Sequence, residues 1–186
     1  MADQIFQAVP FIKGAYGFEN HHRCAFTEKA RKSFHRIHDY MQDHKVDAAW
    51  IAIYIPRGST KFRKENELPS ISNFVGHIAA FQEVLNRFRL DGVNPLDTTD
   101  PRLSYKSYGY SERWPEGIPA RRILRFKEPS FDLKDEFGSE FFSDFVTRAE
   151  RSEAFPIPEE LQAKLLSKFK QCELIEVVHT DLPESG

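Results

Sequence analysis

The chain has 186 residues, of which 40% are hydrophobic and 29% charged, and its formal net charge is −2. The length suits one domain over residues 1–186, and the composition is that of a globular protein, which excludes a disordered chain. The longest apolar run is about eight residues, whereas a transmembrane helix needs roughly 20, so we expect no membrane-spanning segment.

The cysteines and the N-terminal residues predict a cytoplasmic location. Cys24 and Cys172 are too few for a disulfide framework. The first residues, MADQIFQAVPFIKG, contain no basic leader and only a broken apolar segment, so they do not read as a signal peptide. Secretion by a route without a cleaved leader is the alternative.

The first half of the chain predicts alternating strands and helices. Residues 4–12 suit a strand that Pro10 confines to a sheet edge or cuts short. An amphipathic helix follows at 27–45, because Phe34, Ile37 and Met41 repeat at helical spacing. The strand at 48–55, AAWIAIYI, is apolar on both faces, as in a strand covered on both sides. We therefore expect a parallel crossover between the two strands.

The second half of the chain adds further elements around that central strand. Ile71, Phe74, Ile78 and Phe81 form an apolar stripe that predicts a second amphipathic helix at 70–90. A long loop at about 93–118, an edge strand at 120–127, helices at about 135–150 and 158–170 and a frayed tail at about 180–186 follow in order. The predicted fold class is α+β or α/β, with a mixed sheet around strand 48–55.

Charge is divided unevenly along the chain. Residues 1–64 contain 11 Lys and Arg against 6 Asp and Glu, whereas residues 128–186 contain 6 against 14. Such a distribution allows charge to steer association with a partner. The favoured interpretation is that the two ends fold against each other and partly cancel in charge.

A basic segment after the central strand is the first candidate ligand site. We expect a loop at the end of that strand, where anions collect in open α/β sheets. The first glycine and the GK[ST] order of a P-loop are missing, so a solvated charged loop is the alternative. The residues of this candidate anion site are Arg57, Ser59, Thr60, Lys61, Arg63 and Lys64.

The long loop carries the second candidate site. Tyr105, Tyr108, Tyr110 and Trp114 suit a stacking surface for bases or an anchor for a protein partner. The alternative is a loop pinned to its own domain by these rings.

Histidines and cysteines give only weak signals. His35 and His38 lie three residues apart on the first helix, but an HxxH pair without a third ligand does not define a metal site. Cys24 lies near His22, which could activate its thiol. Sequence neighbours rarely form a catalytic pair, so a partly buried, inert Cys24 is favoured. We predict no metal and no cofactor, and no catalytic residue is identified.

Two functions remain open on this basis. The first is a non-enzymatic binding protein that acts through protein–protein contacts or self-association, because the common catalytic signatures are missing. The second is a small enzyme or binding module for a phosphate-bearing ligand, a nucleotide or nucleic acid, held by the basic segment, with His22, His35 or His38 as acid or base. Whether the protein is an enzyme stays undecided.

Overall fold

The structure, a computed structural model, describes residues 8–16, 23–27, 32–65, 67–90, 116–149 and 153–176. Within these ranges the helices are α1 Lys32–His44, α2 Gly58–Glu65, α3 Leu133–Phe137, α4 Ser139–Ala149 and α5 Glu159–Leu166. The strands are β1 Phe11–Gly14, β2 Arg23–Phe26, β3 Ala48–Tyr54, β4 Ile78–Leu85, β5 Glu116–Phe126, β6 Phe155–Pro156 and β7 Cys172–Glu176. These strands form one mixed sheet in the order β2-β5-β4-β3-β1-β6, and β7 also pairs with β5.

The predicted central strand is confirmed as β3. It pairs in parallel with β1 and antiparallel with β4, and every residue from Ala49 to Tyr54 is buried. The parallel crossover is confirmed as well, although β1 lies at 11–14 and residues 1–7 are outside the described ranges. Both faces of β3 are buried because its side chains are apolar on both faces.

Helices cover both faces of the sheet. Phe11 contacts Tyr40 of α1, with ring centroids 5.7 Å apart. Gly14 lies against the backbone of Ala149 in α4. Phe11 and Gly14 are three residues apart on β1, so they face opposite sides of the sheet. The predicted helix at 27–45 is confirmed over Lys32–His44, and its apolar stripe is buried. The described residues thus form an α+β domain.

The prediction of a helix at 70–90 is wrong. Residues 72–74 form a short 3₁₀ turn, Gly76 has a φ of 86°, and residues 78–85 form β4. All eight residues of β4 are buried between β3 and β5. When both faces of a strand are apolar, its apolar residues also occur at helical spacing by chance. Pairing with β3 and β5 makes this segment a strand.

The strand predicted at 120–127 exists, but its assignment to the sheet edge is wrong. Strand β5 pairs with β4 on one side, and on the other with β2 and β7. Its arginines are accommodated because acidic partners lie on the neighbouring strands: Arg122 contacts Glu83 and Arg125 contacts Glu173. Since β5 begins at residue 116, the predicted loop at 93–118 ends too late. Its residues up to 115, like the tail at 180–186, lie outside the described ranges.

The acidic third is helical, as predicted. The helix predicted at 135–150 is present as α3 and α4, separated at Gly138, where φ is 92°. The Asp132 carboxylate caps α3 by accepting a hydrogen bond from the Asp135 N–H at 3.0 Å. The helix predicted at 158–170 ends at Leu166 and is followed by a 3₁₀ turn. No helix in the described ranges is long and apolar enough to cross a bilayer.

Candidate functional site

The basic segment at 57–64 is a helix, not the predicted loop. Helix α2 buries Ser59 and Arg63 and leaves Thr60, Lys61 and Lys64 exposed. Arg57, directly before the helix, is exposed as well. The Ser59 hydroxyl and the Arg63 Nη1 both donate to the Tyr16 carbonyl, each at 3.1 Å. Two of the six predicted anion-binding residues therefore hydrogen-bond to the backbone that follows β1. Anion binding by the other four stays a prediction.

The predicted aromatic surface lies outside the described ranges. Tyr105, Tyr108, Tyr110 and Trp114 all fall between residues 91 and 115. Their role as stacking or interface residues therefore stays a prediction.

The histidines of α1 do not converge on a common site. His35 is exposed, whereas His38 is half-buried and its Nδ1 lies 3.4 Å from the Asn86 Oδ1. Across the part of the chain that the structure describes, no group of three or more His, Cys, Asp and Glu is placed to hold a metal. His22 lies outside the described residues.

Cys24 is buried beside a buried lysine. Burial raises the pKa of the Cys24 thiol to about 11, and the charge of Lys13 only partly opposes that shift. Because the thiolate is the nucleophile, a thiol with so high a pKa is inert at neutral pH.

A cleft of about 570 Å³ opens at the end of the sheet where β3 begins. We call it the sheet-end cleft. Tyr40 and His44 reach it from the last turns of α1, and Val46 to Trp50 reach it from the start of β3. Strands β4 and β5 contribute Glu83, Arg121 and Arg122. Ala8 and Pro10, just before β1, complete the lining seen among the described residues.

A β-bulge brings two neighbouring arginines of β5 to one side of the sheet. Glu83 of β4 pairs with Arg122, but the next residue, Val84, pairs with Ala120, so Arg121 is an extra residue in β5. In a regular strand neighbouring side chains point to opposite faces, whereas a bulge sets two residues against one on the partner strand. Both guanidinium groups consequently reach the same carboxylate.

The Glu83 carboxylate is the centre of this cluster. Arg122 donates to it from Nε at 2.8 Å and from Nη2 at 2.7 Å, and Arg121 donates from Nε at 2.8 Å. Burial by itself raises the pKa of Glu83, but the hydrogen bonds and charges of Arg122 and Arg121 outweigh it and hold the pKa below its ordinary value. Glu83 is therefore ionised at neutral pH, and its side chain is only 6% exposed.

Aromatic rings complete the cleft. The Arg122 guanidinium carbon lies 5.8 Å from the ring centroid of Trp50, within the range of a cation–π contact. The rings of Tyr40 and His44 stack with centroids 4.0 Å apart, and His44 is exposed. Val46, next to them, is one of two large apolar side chains in the described ranges that are markedly exposed, at 41%.

The residues of the sheet-end cleft lie in segments whose sequence pattern predicts other roles. The sequence predicts an edge strand at 120–127, which contains Arg121 and Arg122, and a helix at 70–90, which contains Glu83, so it does not bring the three residues together. Two features of the sequence point to the site: a single acid, Glu83, in the largely apolar run IAAFQEVL, and an arginine pair in the next strand. A buried acid requires a partner.

The sheet-end cleft brings charged, polar and apolar groups together. It combines a half-exposed guanidinium, an exposed imidazole and an exposed apolar side chain. Its buried carboxylate is already neutralised by two cations. Comparisons with known protein families, with curated proteins and with solved structures found no match.

Proposed function

We propose that the protein is a non-enzymatic binding protein that acts by protein–protein contact, and that the sheet-end cleft receives a segment of its partner. The observation that carries the proposal is the Arg121–Glu83–Arg122 cluster beside Trp50 in an open cleft. Arginine, tryptophan and tyrosine are the residues most enriched at the energetic centres of protein interfaces.

The state of each arginine supports this proposal. Arg122 is held by two bonds to Glu83 and its side chain is 22% exposed, so its position is fixed before any ligand arrives. The Arg121 side chain is 50% exposed and contacts Glu83 through Nε. A guanidinium in this position can donate from its Nη groups to an incoming acceptor, and prior fixation lowers the entropy cost of binding.

The electrostatics of Glu83 favour binding over catalysis. A general acid needs a carboxyl group that is protonated near the working pH. Glu83 has the opposite property, since its pKa lies below the ordinary value because of Arg122 and Arg121. It suits the role of a fixed counter-ion.

We also propose a cytoplasmic location. The support is that Cys24 and Cys172 are both free thiols. Free cysteines are typical of reducing compartments.

Affinity capture with matched variants tests the proposed function. The immobilised wild-type protein, a His44→Ser/Arg121→Gln double variant and a Lys127→Gln control would be exposed to the same cell extract, and bound proteins would be quantified by mass spectrometry. Lys127 is exposed and does not line the cleft. We expect a set of proteins that the wild type and the control retain and the double variant loses. Identical sets for all three proteins would contradict the proposal.

A phosphate-bearing small ligand is the second candidate. The observation in its favour is the volume of the cleft, about 570 Å³, which lies within the roughly 300–1,000 Å³ typical of small-molecule sites. The stacked Tyr40–His44 pair suits a base, and Arg121 suits a phosphate. A melting temperature that does not change across a panel of nucleotides would count against this candidate.

A further inference from the structure

Among the described residues that line the sheet-end cleft, the formal charges cancel. Arg121 and Arg122 contribute two positive charges, and Glu83 and Asp47 contribute two negative charges, with His44 counted as neutral. A cleft built for a multiply charged phosphate would carry an excess of cations. This balance therefore favours a ligand without a large net charge.

Two of the four charges are engaged with each other. Glu83 and Arg122 form a two-bond pair, so neither is available as a free charge. The remaining positive group is Arg121, which touches Glu83 only through Nε and is half exposed. The remaining negative group is Asp47, which is exposed and whose carboxylate forms no ion pair with any residue that the structure describes.

An apolar surface adjoins these two charges. Asp47 follows Val46 directly, and the His44–Tyr40 stack lies one turn earlier in the chain. The exposed Val46 side chain and the ring stack together form a surface suited to an apolar or aromatic group.

From this arrangement we infer that the partner segment carries both an acidic and a basic side chain, with an apolar residue beside them. The acid pairs with Arg121, the base pairs with Asp47, and the apolar side chain rests on Val46 and the Tyr40–His44 stack. This inference rests on the proposed function and specifies the chemistry of the segment bound at the same cleft. Phosphate-bearing ligands are disfavoured because Asp47 repels them.

Trp50 provides a direct reporter of binding. The chain contains two tryptophans, and the second, Trp114, lies outside the described residues. A Trp114→Phe variant leaves Trp50, which lines the cleft, as the sole source of indole fluorescence. The probes are capped peptides with the sequences Glu-Phe-Lys and Lys-Phe-Glu, each compared with versions in which Glu or Lys is replaced by Gln.

The expected result is a saturable change in Trp50 fluorescence with at least one of the two charged peptides. Replacement of either charged residue by Gln should weaken binding by about two- to fivefold, the usual strength of an exposed ion pair. On the protein side, Arg121→Gln should remove the dependence on the peptide's Glu, and Asp47→Asn should remove the dependence on its Lys. Asp43→Asn, an exposed acid of α1 that does not line the cleft, is the matched control.

The outcomes separate this inference from the proposed function. If the Gln peptides bind as tightly as the charged ones, or if inorganic phosphate binds more tightly than any peptide, the inference is overturned while the affinity-capture result can stand. If no peptide changes the fluorescence, the inference is also overturned, and the capture experiment then decides the proposed function separately. Asp47→Asn keeps the test valid even if Arg121→Gln lowers stability, because Asp47 is exposed.

Discussion

Arg122 and Glu83 face each other across β5 and β4 and are joined by two hydrogen bonds of 2.8 and 2.7 Å. Trp50 faces Glu83 from β3, so the three side chains form a row across three neighbouring strands. Guanidinium and carboxylate thus meet in the parallel-fork geometry that is strongest for this pair of groups. The row fixes one wall of the sheet-end cleft within the sheet itself.

Removal of the charge on Glu83 should destabilise the fold. Glu83→Gln keeps the shape of the side chain but leaves Arg121 and Arg122 without their counter-ion, so we expect the free energy of unfolding to fall by about 2–3 kcal/mol. Urea denaturation at neutral pH measures it. Glu140→Gln, at an exposed position of α4, should change stability by less than about 0.5 kcal/mol. Equal effects of the two substitutions would refute the assigned role of Glu83.

The same carboxylate should make stability depend on pH. Its pKa is lower in the folded protein than in the unfolded chain, so the unfolded chain binds the proton more readily. The stabilisation is therefore complete at neutral pH and is lost as pH falls through and below the ordinary carboxyl range. The difference in unfolding free energy between wild type and Glu83→Gln should shrink over that range. A constant difference from pH 7 to pH 3 would show that the ion pair does not contribute as described.

Lys13 should be a source of instability. Its side chain is buried on β1 with Nζ 5.1 Å from the ring centroid of Phe26, and burial lowers the pKa of its amine. We expect Lys13→Met to raise the free energy of unfolding at neutral pH by about 1 kcal/mol or more, because no charge then has to be buried. Lys127→Met, at an exposed position, should have little effect. A loss of stability in Lys13→Met would mean that the amine is needed for the fold.

The pH dependence of the unfolding free energy provides a second test of the role of Lys13. Since the folded pKa lies below the unfolded one, the wild type gains stability as pH rises from the folded value toward the unfolded value. The advantage of Lys13→Met should therefore decrease in alkaline solution. Denaturation curves of both proteins across that range measure the change.

Arg63 should behave as a structural residue and not as a surface cation. Its Nε donates to the Pro69 carbonyl at 2.8 Å and its Nη1 to the Tyr16 carbonyl at 3.1 Å. Arg63→Lys keeps the charge but loses the planar fork, so we expect a loss of about 2–3 kcal/mol in unfolding free energy. Lys64→Ala, next to it and exposed, should be nearly neutral. If both variants unfold at the same urea concentration, Arg63 does not hold these carbonyls together.

The sequence predicted the parts of the fold whose pattern admits one interpretation. The stripe of Phe34, Ile37 and Met41 has polar residues around it, so only a helix buries it. By contrast, Ile78 and Phe81 belong to a run that is buried on both faces, in which helical and strand spacing coincide. Which of the two forms depends on the partners on either side, β3 and β5, and one segment's sequence does not contain that information.

The candidate site was less predictable than the fold. Their chemical type predicts Ser59 and Arg63 as anion ligands, but both lie on the buried face of α2. The arginines that line the cleft depend on a bulge, and the register of β5 against β4 is set by tertiary pairing. Local spacing alone assigns Arg121 and Arg122 to opposite faces.

The bulge in β5 also bears on how such a surface arises and disappears in evolution. Because Arg121 is the additional residue, deletion of that one codon would restore regular pairing between β4 and β5 and leave Arg122 opposite Glu83. The sheet would persist, while the half-exposed guanidinium would be lost. A single in-frame insertion or deletion is thus enough to create or erase the contact group on an unchanged scaffold.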